Sequence, residues 1–137
     1  MSGEMLCAGD GAGEILWLEE PLSFWGGTDL HSAVITDIHH PQQGISLAGR
    51  VIVMDASRGS SSSSSVLAEQ IRAGVAPSAI LLASRDVIVT LGALAAAEVY
   101  GIRLPILLLD ADAMAGLPRT GPVEVSSGPE GSSVSWF

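Results

Sequence analysis

Six consecutive serines, Ser60 to Ser65, follow the triplet Ser57-Arg58-Gly59 and run directly into Val66-Leu67. A serine hydroxyl is a poor base in water. At the first turn of a helix, however, four backbone N–H groups lack partners and the helix dipole concentrates partial positive charge. The donors there favour an anion, whether a substrate carboxylate, a phosphate or a deprotonated hydroxyl, so the chemistry this stretch suits is anion binding. Arg58 can hold a carboxylate through paired N–H bonds, or it can sit as a solvated surface arginine. Composition alone reads polyserine as flexible linker. Context reverses that order. The run stands between "GRVIVMD", a β-branched strand, and a segment with helical spacing at Val66, Leu67, Ile71 and Val75, where a tight strand-to-helix connection is expected. Such connections are where α/β folds gather ligands.

Other hydroxyl chemistries fit less well. The triplet before the serines is not a phosphate-binding G-x-x-x-x-G-K-S/T loop, and the chain contains no lysine to complete one. Nor is it a G-x-S-x-G elbow, and a histidine relay would have to come from His31, His39 or His40. His39 and His40 are adjacent, so in a strand they face opposite sides and chelate one metal poorly. Asp110 and Asp112, two residues apart, read as a cation pair or as solvated loop carboxylates. Trp25, Gly26, Gly27 and Asp29 form either a loop over a substrate or a structural turn around a packed tryptophan.

The elements that must position these groups read as follows. "EILWL" from Glu14 is a strand after a glycine-rich, flexible segment 1–13, and 14–137 form one domain. "HSAVITDIHHPQQG" alternates enough to suggest a second strand. After the serine helix, "AILLA" and "VIVTL" read as short strands around the polar "SRD", or as one strand plus a turn. "GALAAAEVYG" is helical by propensity and bounded by glycines, its alanines allowing close approach to the sheet. "LPILLLD" is a buried strand, and "PVEVSS" and "SVSWF" are alternating strands around "GPEG". The sum is an α/β domain with a mixed sheet in layers and two or more helices.

Charge narrows the partners. Six arginines against fifteen carboxylates give a net charge of −9, a field that repels nucleic acid and anionic membranes. The longest uncharged apolar stretch, Val87 to Ala97, is too short to cross a bilayer. A single cysteine, Cys7, excludes an internal disulfide and suits a reducing compartment, so the cytoplasm is expected.

Three segments carry a family resemblance: "PLSFWGGTD", "HPQQGISLAGRVIVMDASRGSSSSSSVLAEQIRAGVAPSAI" and "ALAAAEVYGIRLPIL". Their order resembles the small swivel subunit of the aconitase X family, over about Glu14 to Leu109. The resemblance implies a swivelling β/β/α domain docked on a large subunit or domain that holds an iron–sulfur cluster, with no cofactor on this chain. Family members dehydrate small hydroxy acids, bacterial ones cis-3-hydroxy-L-proline and archaeal ones mevalonate 5-phosphate. The family's catalytic serine maps onto Ser60; Arg58, Gly59, Ser61, Ser62, Trp25, Gly26, Gly27 and Asp29 are the candidate substrate-binding residues beside it. The family mixes Ser, Thr and Gly after that position, whereas here every residue through Ser65 is serine. The elimination itself needs a proton removed beside a carboxylate and an acid for the departing hydroxyl. One cysteine cannot ligate a cluster, so the resemblance places the cluster on the partner and makes this chain inactive alone. A non-catalytic scaffolding swivel domain is the reading from a different class.

Overall fold

The computed structural model describes residues 3–58 and 61–136. Its core is set by three short apolar runs, β3 (Val51–Met54), β4 (Ala79–Leu82) and β5 (Ile106–Leu108), paired in parallel. Their side chains alternate between two apolar clusters. Ile52, Met54, Ile80, Leu82 and Ile106 face a cluster with Leu67, Ile71, Val89 and Ala93, whereas Val51, Val53, Ala79, Leu81 and Leu107 face Val123, Val125 and Val134. Burial on both faces explains why these runs are continuously apolar rather than alternating.

The first cluster is closed by α2 (Ser62–Ala73) and α3 (Val87–Tyr100), the second by the hairpin of β6 (Pro122–Gly128) and β7 (Gly131–Trp136). One seven-stranded mixed sheet results. With β1 (Glu4–Cys7) and β2 (Gly9–Trp17), its order is β1-β5-β4-β3-β2-β6-β7, and β1 comes close enough to β6 and β7 to curl the sheet towards a barrel. These are the β/β/α layers expected from the sequence.

The strand β2 serves both halves. Ile15 to Trp17 pair in parallel with Val51 to Val53, while Gly9 to Glu14 pair antiparallel with Pro122 to Ser127. Segment 1–13, read as flexible, therefore supplies β1 and the first part of β2 through its described residues. Its glycines answer a packing demand: a Cβ on Gly11 would stand 2.0 Å from the Ser78 carbonyl oxygen, and one on Gly13 2.0 Å from that of Gly49. β1 is held by pairing with β5 and by a salt bridge between Glu4 and Arg85.

Three further expectations change. Residues 31–44 form no strand beyond two isolated bridges, Thr28 with Ile35 and Val34 with Ser46. Ala33 takes a φ of 58° and its N–H donates to the Asp29 carbonyl, so the chain turns before a ladder can extend, even though Ala33 and Ile35 are buried as alternation requires. "VIVTL" is the first half of α3. The buried Asp86 caps it by accepting from the Ile88 and Val89 N–H groups, and this cap with the packing of Val89 overrides β-branched propensity. Gly92, read as a boundary, lies mid-helix, where its missing side chain lets the Ser64 backbone of α2 approach. A short helix α4 (Ala111–Gly116) also follows β5, with Asp110 accepting from Ala113 N–H at its start.

One face of α3 stays outside both clusters. Val87, Leu91 and Leu94, spaced to share a face, are all exposed, Val87 most of all.

Candidate active site at the start of helix α2

The segment after β3 leaves the sheet at its carboxyl end and enters α2 within a few residues. Gly59 and Ser60, the expected base and its neighbour, lie outside the described residues. What surrounds them is laced on two sides. On one, the Ser57 N–H and hydroxyl both donate to Asp86 Oδ2 at 2.5 Å, Ser84 Oγ donates to Asp55 Oδ1 at 2.6 Å, and Ser84 N–H donates to the Asp55 carbonyl at 2.9 Å. On the other, the Arg58 N–H donates to the Leu22 carbonyl at 3.0 Å. The Arg58 side chain is exposed.

The turn α1 (Phe24–Gly27) packs beside the helix start. Phe24 is fully buried, while Trp25 is 62% exposed, with its N–H donating to Ser63 Oγ at 3.2 Å. Ser23 Oγ donates to the Trp25 carbonyl at 2.6 Å and stands 3.4 Å from Ser63 Oγ. Gly26 takes a φ of 79° and carries the chain back from the exposed indole to the buried Gly27. Glycine adopts that left-handed conformation without steric cost. The tryptophan is thus not a packed core residue.

Of the expected set, Trp25 and its glycines are brought to the start of α2, where Ser61 and Ser62 are exposed. Asp29 is not. Its carbonyl accepts from Gln70 Nε2 at 3.1 Å. Gln70 lies about two helical turns beyond Ser63, so Asp29 is anchored well along the helix from its serine start. The Asp29 carboxylate accepts from Ser32 Oγ at 2.6 Å, and that bond holds its pKa below the usual aspartate value.

Ser63 and Asp86 were not singled out in the sequence. Ser63 is fully buried because it shares a helix face with Leu67 and Gln70, a phase readable from the spacing. Asp86 carried a helix-start signal, an acidic residue just before an apolar run.

His40 is buried, with Nε2 facing the Glu20 carbonyl and Nδ1 accepting from Gln42 N–H. Among the described residues no group of three His, Cys, Asp or Glu side chains could hold a metal ion. Cys7 is buried, and that burial raises its thiol pKa; a single cysteine falls short of the three or four ligands an iron–sulfur cluster requires. Among the described residues no helix is long and apolar enough to cross a membrane.

The curled mixed sheet with its covering helices is the fold of one known class of domain. The family model for the aconitase X swivel domain matches residues 1–134, and the chain belongs to that family. It is 49% identical over 104 residues to cis-3-hydroxy-L-proline dehydratase of Pseudomonas aeruginosa, covering 76% of this chain and 18% of that protein. It is also 35% identical over 118 residues to the phosphomevalonate dehydratase small subunit of Pyrococcus abyssi, covering 82% of this chain and 88% of that one. The holo-form crystal structure of Thermococcus kodakaraensis aconitase X superposes with a TM-score of 0.81 at 26% identity, over 98% of this chain and 97% of that one. The chain spans less than a fifth of the two hydroxyproline dehydratases it matches, 18% of one and 17% of the other.

Proposed function

We propose that this chain is the serine-bearing swivel part of an aconitase X-type dehydratase, acting on cis-3-hydroxy-L-proline together with a larger subunit or domain in the cytoplasm. Ser60, as the alkoxide, takes the proton from the carbon beside the substrate carboxylate, and the C–H electron pair forms the double bond. The C–O bond on the neighbouring carbon breaks as the hydroxyl leaves as water, with a proton supplied from the partner's side. The N–H groups at the start of α2 stabilise the alkoxide, and Arg58 holds the carboxylate. The observation that carries this reading is the serine run opening α2 at the carboxyl end of a parallel strand, in a chain of this family. The choice of substrate is supported by the 49% identity to the Pseudomonas enzyme.

The exposed apolar residues of α3, Val87, Leu91 and Leu94, support the need for a partner, since such a face is normally covered. The iron–sulfur cluster that the family implies belongs to that partner, and no residue of this chain is assigned to the departing hydroxyl.

The test is the complex with its large partner, purified anaerobically and assayed side by side with cis-3-hydroxy-L-proline and mevalonate 5-phosphate. Turnover of the first and a loss of at least about 1,000-fold in Ser60→Ala, with the complex still assembled, is the expected result. Preference for the phosphate would replace the substrate, and full activity in Ser60→Ala would remove the base.

A further inference from the structure

Asp86 accepts more hydrogen bonds than a helix cap requires. One carboxylate oxygen, Oδ1, accepts from Ile88 N–H at 2.9 Å and Val89 N–H at 3.1 Å, which satisfies the start of α3. A serine or threonine would do as much. The second oxygen, Oδ2, points away from the helix and takes both donors of Ser57, the backbone N–H and the hydroxyl, each at 2.5 Å. The residue is buried, so these bonds form where water competes little and where an unmet donor is costly. Ser57 stands three positions before Ser60, and the intervening Arg58 is tied by its own N–H to Leu22 on the opposite side. The connection is therefore held from both sides just before it enters α2.

We infer that Asp86 is a positioning residue for the serine connection: it anchors Ser57, where the connection sets out, and the activity that needs Ser60 depends on that anchor, without Asp86 touching the substrate itself. This rests on the reading of Ser60 as the base. Asp86→Asn separates the two roles of the side chain. Its amide oxygen can still cap α3, while its NH2 faces the Ser57 N–H donor to donor, so that backbone bond is lost even where the Ser57 hydroxyl turns to accept.

The assembled complex of each variant is compared for kcat and KM with cis-3-hydroxy-L-proline, for Tm, and for amide hydrogen exchange at Ser57 and along α3. Asp86→Asn is expected to lower kcat about 100-fold with KM changed less than about twofold, the usual cost of a reacting group slightly displaced. Exchange at Ser57 rises at least about tenfold while α3 stays protected. Ser57→Ala, which keeps the N–H bond, loses roughly tenfold, and Ser57→Thr, which keeps the hydroxyl, regains most of the activity. Unchanged kcat in Asp86→Asn, with Ser60→Ala inactive, overturns the inference alone. So does a loss of activity that comes with deprotection of all of α3, since that is a cap failure. If Asp86→Asn does not fold, wild-type kcat in Ser57→Ala overturns it. Full activity in Ser60→Ala removes the parent reading and this one with it.

Discussion

Two stretches of this chain have the composition of a linker, the glycines of residues 9–13 and the serines Ser61 to Ser65, and both are built into the fold for opposite reasons. The glycines are there for the side chains they lack. At Gly11 and Gly13, β2 crosses two loop carbonyls closely enough that no Cβ fits. The serines are there for the groups they carry, and each is used differently according to helix phase. Ser63 is buried and bonds the turn at Trp25, Ser64 Oγ donates to the Ser61 carbonyl at 2.6 Å, and Ser65 faces solvent. Low complexity of composition therefore conceals high specificity of position in both stretches.

Substitutions can break that comparison. The largest effect is expected at Gly13→Ala, where the methyl meets backbone and neither partner can swing aside. A loss of about 3 kcal/mol or more in chemical unfolding is expected, at the upper end of what overpacking costs. A midpoint equal to wild type would mean the strand is loosely laid and its glycines are flexible after all. An intermediate effect is expected at Ser63→Ala, which leaves the Trp25 N–H without its acceptor. About 1 kcal/mol is lost in the same measurement, and quenching of the exposed indole by iodide changes as the turn loosens. No change in either would place Ser63 with its solvent-facing neighbours. The smallest belongs to Ser65→Ala, expected to stabilise by up to about 0.5 kcal/mol, because alanine is the better helix former at an exposed position. A clear destabilisation there would show that the run acts as a unit rather than residue by residue.

Much of the fold was legible because it follows from elementary rules. The runs at Val51, Ala79 and Ile106 are apolar at every position, and only strands covered on both faces need that. The body of α2 was readable from its apolar spacing; the helix ends just before Val75, at Gly74, which takes the left-handed conformation that closes many helices. What failed did so where local pattern and tertiary demand differ. Val87 to Leu91 is rich in β-branched residues, yet Asp86 and the packing of Val89 make it helix. The alternation around Ala33 and Ile35 reports burial correctly, but in a loop. In the candidate site, the serine connection was visible in the sequence as a place. Which hydroxyls face inward depends on helix phase, and the tie from Ser57 to Asp86 joins residues on different elements, a relation carried by no local spacing.

The divided pairing of β2 also bears on how the molecule is assembled. Gly9 is matched with Ser127 and Glu4 with Leu108, so the ladders β2–β6 and β1–β5 join segments far apart in the sequence. During synthesis, the Ile15 half of β2 can find β3 early, while its glycine half waits with open backbone until Pro122 to Gly128 have emerged. Closing so long a loop is an entropic cost met before any reward, which puts the rate-limiting event of folding at the hairpin that docks last.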